Sequence, residues 1–434
     1  MEFQRKPLIS AMMVAILGML TACAGDDGKD GQDGINGRDV TGPAGADGTN
    51  GQDGENGFTG DALIRLATVP AGAEVTGASI SDSGDLFFNL QHPSDANIEE
   101  DADGVVLNKG TVGVLKGLNV NDLPMNLISS PVPVSDKERQ TVMSAYGEYQ
   151  VVAQAGDTFS GAIPNGLGII MDKDDGATVN GAGWPDFNGF ISTAENEGYL
   201  FTNWESVPGG MSRLKLTKDE VGVWSVDSSD AMMLDFGDWG TVANCFGSVS
   251  PWGTPLTSEE WGNFGDNTHE WDDSSADDPY GNRAAFDAYI DPTGATNYVP
   301  NTYRYHYIVE ITNPTSDNPV PVKRYAMGRF EHENSVVMPD GKTVYLSQDD
   351  TNGVLFKFVA DTAEDLSAGT LYGAKVTQDE GSTEPLTTGF DIQWIELAHG
   401  TEAEIESWIA EYDTVEYHDG GDTSYLTDAD AEAW

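Results

Sequence analysis

Apolar and polar positions alternate in short bursts along most of the chain. The stretches "GDLFFNLQ", "YQVVAQ", "GYLFTNW", "MSRLKLT", "GVWSVD", "RYHYIVEIT", "VKRYAMGRF", "KTVYLSQ" and "VLFKFVA" are β-branched or aromatic runs bounded by Gly, Asp, Asn and Pro. A period of two over such lengths predicts half-buried strands, and their regular recurrence with turns between them predicts an all-β fold, a sandwich or a propeller. Two phrases favour the propeller. "SDSGDLFFNLQ" (81–91) and "MPDGKTVYLSQDD" (338–350) share a turn, an Asp/Gly pair and an apolar strand that ends in polar residues, the layout of corresponding strands in successive blades. Blades of roughly 40–50 residues give a β-propeller of about six, with long loop inserts such as 262–300. One stretch, "TEAEIESWIAEYDTV" (401–415), has helical periodicity and is expected in a loop between strands.

The first sixty residues follow other rules. Arg5 and Lys6 precede an apolar run from Leu8 to Leu20 that is too short to span a bilayer, followed by small residues up to Cys23. Leu20-Thr21-Ala22-Cys23 resembles a bacterial lipobox, which implies a signal peptide over 1–22, cleavage before Cys23 and a lipid on its sulfur. Ala24 in the next position implies sorting to an outer membrane, so the expected location is the bacterial cell envelope. Residues 23–61 then carry glycine at every third place, with one slip around Val40 and a single proline, Pro43. A collagen triple helix needs that period but draws its stiffness from imino acids, so the repeat reads as a marginal trimeric stalk or a flexible polar spacer. The propeller domain is assigned to 62–434.

Charge narrows the partners. The 434 residues contain 72 Asp and Glu against 21 Lys and Arg, a formal net charge of −51. Such a chain repels nucleic acid and anionic membrane surfaces, and most of its carboxylates are expected to form a solvated coat. With Cys23 lipidated, Cys245 is left without an intramolecular partner for a disulfide.

No Walker-type phosphate loop, serine-hydrolase elbow or zincin helix is found, and the six histidines are scattered. Oxygen clusters instead: Asn203 and Glu205 in "TNWE", Glu259 and Glu260 in "TSEEW", Glu331 and Glu333 in "RFEHEN", Asp349 and Asp350 in "SQDD", each at a strand end or the adjoining turn. Carboxylates and amide carbonyls of this kind suit hard cations, chiefly calcium, whereas a thiolate from Cys245 suits a softer ion such as iron.

Together these phrases resemble a known family. "NCFGSVSPWGTPLTSEEW" followed by "GRFEHE", "PDGKTVYLSQDD" and "FKFVA" is similar to the PhoX-type alkaline phosphatases, secreted bacterial propellers with an iron and calcium centre. The resemblance runs from about Tyr199 to about Gly400. It implies a metal-dependent phosphomonoesterase in which Cys245 and Glu333 bind iron, and Asn203, Glu205 and one of Glu259/Glu260 serve calcium. Asp349 and Asp350 would hold calcium or support the centre, while Arg329 grips the phosphoryl oxygens. In a chain of this charge, such cations would be what draws a phosphate ester in. Three departures stand out. The signal lacks the family's twin arginine, which bears on iron loading; Phe246 in "CFGS" replaces a small residue and is expected to crowd the metal; and "FFNLQHP" (87–93), a phrase the family carries near its C-terminus, comes early. The early phrase is compatible with a ring closed by its first strand, or with a chain whose last blade is missing. Two alternatives stand beside the phosphatase: a non-catalytic, calcium-stabilised propeller used for surface binding or adhesion, and a related hydrolase acting on another ester.

Overall fold

The structure is a computed structural model and describes residues 63–413, apart from 125–126, 160–162, 175, 182, 261–281, 293–300, 352 and 380–387. The signal peptide, Cys23, the glycine repeat, most of the 262–300 insert and the tail after 413 lie outside the described residues.

The predicted strands assemble into four antiparallel sheets of four or five strands that follow one another along the chain, beside two two-stranded pairs, Ala67–Thr68 with Met143–Ser144 and Ile169–Met171 with Thr178–Gly181. The first contains β1 (Glu74–Ile80), β2 (Leu86–Gln91), β3 (Thr111–Lys116) and β4 (Glu148–Gln154). The second contains β5 (Pro185–Ala194), β6 (Glu197–Trp204), β7 (Gly210–Lys218) and β8 (Trp224–Val226), with Met232–Met233 also paired to β7. The third is β9 (Asn244–Val249), β10 (Pro255–Glu259), β11 (Ile308–Thr312) and β12 (Val320–Lys323). The fourth is β13 (His332–Val337), β14 (Thr343–Gln348), β15 (Leu355–Thr362), β16 (Asp365–Gln378) and β17 (Phe390–Thr401). The first strands pack on one another in sequence, β1 on β5, β5 on β9 and β9 on β13, which is how propeller blades meet at a hub. Four blade-like sheets are present among the described residues, against the six expected.

Burial follows the strand pattern. Every residue of β2 is buried, including the polar Asn89 and Gln91, so both faces of this strand are covered. Phe87 stacks on Phe190 at 5.4 Å between ring centres, and Trp224 meets both edge-on at the same distance, sealing the first sheet to the second. The predicted helix forms over Glu402–Ile409, started by a capping box in which the Thr401 hydroxyl accepts from Glu404 N–H. No helix of the described residues is long and apolar enough to cross a membrane.

Where β9 and β10 pair, Gly247 leaves no room for a side chain: an added Cβ would collide with Leu256 O and sit 2.9 Å from the Phe187 ring. Gly247→Ala is therefore expected to force the two strands apart and cost about 1–3 kcal/mol. Chemical denaturation of the variant would show this as a lower midpoint, and an unchanged midpoint would contradict the packing described.

Candidate metal centre

The strand ends at the hub bring carboxylates together from three sheets. Asp186 opens β5, Glu205 follows β6, Cys245 lies in β9, Glu260 follows β10 and Glu333 lies in β13. Ligand atoms of Asp186, Glu205 and Cys245 lie within 4.8 Å of one another, as do those of Cys245, Glu260 and Glu333. The Cys245 Sγ, shared by both groups, stands 3.6 Å from Asp186 Oδ2 and 4.0 Å from Glu333 Oε2. Glu260 shares hydrogen bonds with Asp349, at the end of β14, and with Glu333.

The electrostatics of this cluster are those of buried like charges. Burial, then Glu205, Glu333 and Glu74, pushes the Asp186 carboxyl well above the usual carboxylate range. Burial is also the largest influence on Glu205, raised to about 7, and on Glu333, raised to about 7 with Asp349 and Glu205 adding to it. Glu260 is pushed up to about 11 by burial and by the charges of Glu333, Glu205 and Asp349. No lysine or arginine is among the groups acting most strongly on these four. Buried acids are ordinarily compensated by a basic partner or a bound cation. An orphaned oxygen points the same way: Asn203 Nδ2 donates to Cys245 O at 2.5 Å, while its Oδ1 is buried with no hydrogen-bond donor. Several carboxylates and an amide oxygen are a donor set suited to hard cations.

A pH dependence follows for protein stripped of metal. Glu205 and Glu333 titrate near 7 when folded, above the ordinary 4.5, so the folded state holds their protons more tightly than the unfolded chain does. Their contribution to stability is complete below about pH 4.5 and is lost as pH rises through 7, at about 3 kcal/mol for each group. Chelator-treated protein should unfold at lower denaturant at pH 8 than at pH 5. Equal midpoints would show that the cluster is not charged as described.

The structure separates the paired candidates. Glu259 turns away from the cluster: its Oε1 accepts from Thr241 Oγ1 at 2.8 Å and Lys323 Nζ at 2.8 Å, and its Oε2 from Tyr307 N–H at 3.0 Å. Adjacent strand residues face opposite ways, so Glu260 alone of the pair reaches the centre. Arg329 acts on Glu331, two residues before Glu333. Its guanidinium donates to Tyr305 O at 3.2 Å and Thr302 O at 3.1 Å and lies over the Tyr303 ring. Asp350 is exposed and acts on Glu331 at the rim. Phe246 is buried, its ring edge-on against Phe187.

Cys245 Sγ is buried where the two acid groups meet, the place a thiolate ligand would occupy. Three residues at the centre escaped the sequence reading: Asp186, Gln91 and Glu74. Asp186 carries the signal used for the others, an acid at the end of an apolar strand. Nothing in "FFNLQ" marked Gln91 as lying beside acids of the next sheet.

Residues 226–425 match the family model "Alkaline phosphatase PhoX", a span that contains Cys245, Glu260, Arg329, Glu333 and Asp349 and stops short of half the chain. No curated protein sequence matches this chain at a significant level. Among solved structures, Pseudomonas fluorescens PhoX in complex with vanadate, a transition state analogue, is 18% identical with a TM-score of 0.39, over 82% of this chain and 64% of that one. The chain thus spans under two thirds of that protein's length. CoXyl43, a GH43 β-xylosidase/α-arabinofuranosidase from a compost microbial metagenome in complex with xylotriose, is 11% identical with a TM-score of 0.29, covering 78% of this chain and 93% of that one. The GH43_1 enzyme from Xanthomonas citri complexed with xylotriose is 12% identical with a TM-score of 0.27, covering 78% and 89%. These TM-scores give the structural likenesses no weight for activity.

Proposed function

We propose that this protein is a metal-dependent phosphomonoesterase whose centre is the buried carboxylate cluster at the hub. The observation that carries the reading is the convergence of Asp186, Glu205, Glu260 and Glu333 with no lysine or arginine among their strongest influences and only His92 acting as a basic group on Glu205, with Glu260 and Glu333 inside the span matched by the phosphatase family. These four, with Asn203 and Asp349 beside them, would hold calcium, and Cys245 would join as an iron ligand. Bound there, the cations would supply the positive charge that neutralises the phosphoryl oxygens of a monoester. The protein's own part is to aim its oxygens inward and to keep the site enclosed. Hydrolysis of p-nitrophenyl phosphate should vanish on chelation and return with metal; turnover that survives exhaustive chelation would end the proposal.

A second reading, a calcium-stabilised propeller that binds without turnover, is favoured by the engagement of Arg329 with the 302–305 turn. It expects calcium without iron, and calcium-dependent melting with no hydrolysis, so elemental analysis beside the activity assay separates the two. We further propose that Cys23 is lipidated and holds the protein at the outer membrane, with residues 23–61 as its spacer. Detergent partitioning lost in a Cys23→Ser variant would support this, and unchanged partitioning would refute it.

A further inference from the structure

The end of the first sheet is shaped around one residue of the second. Across β1 and β2, Glu74 stands opposite Gln91 and Thr76 opposite Asn89, and these side chains meet the start of β5. Thr76 Oγ1 donates to Pro185 O at 2.7 Å, and Asn89 Nδ2 donates to Asp186 O. Asn89 Oδ1 in turn accepts from Asn188 Nδ2 at 2.8 Å, and Asn188 Oδ1 accepts from Thr202 Oγ1 at 2.7 Å. Gly77, at φ +59° beside the bulge in β1, is required by the same approach, because a Cβ there would collide with Asp186 O. The backbone of residues 185 and 186 is thus already fastened to the first sheet without Gln91.

Gln91 does something else. Its side chain is buried, 2% exposed, and its Nε2 stands 2.7 Å from Glu205 Oε2 and 3.3 Å from Asp186 Oδ2. Both partners are carboxylate oxygens of the centre and neither is backbone. A neutral amide can orient two carboxylates without cancelling their charge, leaving their other oxygens and their full negative charge available. A lysine there would take the place of the cation.

We propose that Gln91 is a positioning residue for the metal centre, an uncharged donor from the first sheet that sets the spacing of Glu205 and Asp186 so that a cation, and not the protein, completes their coordination. The proposal rests on the cation-centre reading above. It makes the early "LQHP" phrase part of the centre, reached across the contact between β2 and β5. Residues that orient metal ligands in this way typically change affinity by about 10–100-fold when removed.

The test is calorimetric titration of Ca2+ into chelator-treated full-length protein, alongside unfolding of the metal-free form. Gln91→Leu is expected to weaken Ca2+ binding about 10–100-fold while cooperative unfolding of the metal-free protein is retained. Gln91→Lys is expected to weaken binding at least as far yet raise the metal-free unfolding midpoint, because its ammonium supplies the missing charge. A purely structural glutamine would instead lower the metal-free midpoint in both variants, and that result would overturn the proposal. So would Ca2+ affinity of Gln91→Leu within about twofold of wild type. If wild-type protein takes up no Ca2+, the cation-centre reading fails and this proposal with it; if wild type binds and Gln91→Leu binds equally, only the role of Gln91 is refuted.

Discussion

Glu260→Gln is expected to reduce hydrolysis of p-nitrophenyl phosphate by about 10^3-fold while making the metal-free protein more stable at pH 8. Both effects come from the same carboxyl. Glu260 lies within reach of Cys245 and Glu333, and burial first, then the charges of Glu333, Glu205 and Asp349, lifts it to about 11. Its useful state, an ionised oxygen ligand, is therefore the state the apo fold resists, and a cation must supply the compensation. A neutral amide of the same shape cannot provide that charge, and losing one strong electrostatic contact at a reacting centre costs about 10^2–10^3 in rate, more when a metal leaves with it. In the metal-free protein the substitution removes a group whose proton the fold retains far above its ordinary range, relieving a few kcal/mol at pH 8. Function and stability are then opposed at one residue. The variant's rate and its chelator-treated unfolding midpoint check the two halves; undiminished turnover would remove Glu260 from the centre.

The neighbouring glutamate should behave in the opposite way. Lys323→Met is expected to destabilise the protein by about 3–5 kcal/mol, because it strands a buried charge. Glu259 is fully buried, and its Oε1 meets Lys323 Nζ at 2.8 Å. The ammonium also donates to Arg304 O at 2.7 Å and lies 4.4 Å from the centre of the Tyr305 ring. Burial alone lowers the lysine's affinity for its proton, and Glu259 opposes that shift. The double variant Lys323→Met/Glu259→Gln should recover part of the loss, since its two neutral groups need no mutual compensation. Denaturant unfolding of the two single variants and the double measures the coupling; a loss under about 1 kcal/mol for Lys323→Met would mean the pair is hydrated and weak.

The two glutamates show what a pattern can and cannot say. In "TSEEW" they are identical in type and adjacent, and as letters either serves as a ligand. Strand geometry sends them to opposite faces, and only the positions of Lys323 and Glu333 reveal which face holds the pairing lysine and which the cluster. Arg329 is a similar case. Its place in "GRFEHE" resembles a phosphoryl clamp, and only the structure shows that carbonyls of the 302–305 turn also receive its guanidinium.

What the amino-acid order determined by itself is the local part: which runs are strands, where the capped helix begins, and that acids accumulate at strand ends, because side-chain period, turn chemistry and capping act over a few residues. It also carried the phrases matched by the phosphatase family. The tertiary structure alone decided that Asp186 and Gln91 belong with Glu205, and that Glu260 and not Glu259 faces the cluster. Those outcomes depend on how one sheet stacks on the next, through contacts between residues some 40 to 115 positions apart, such as Asn203 with Cys245 and Gln91 with Glu205.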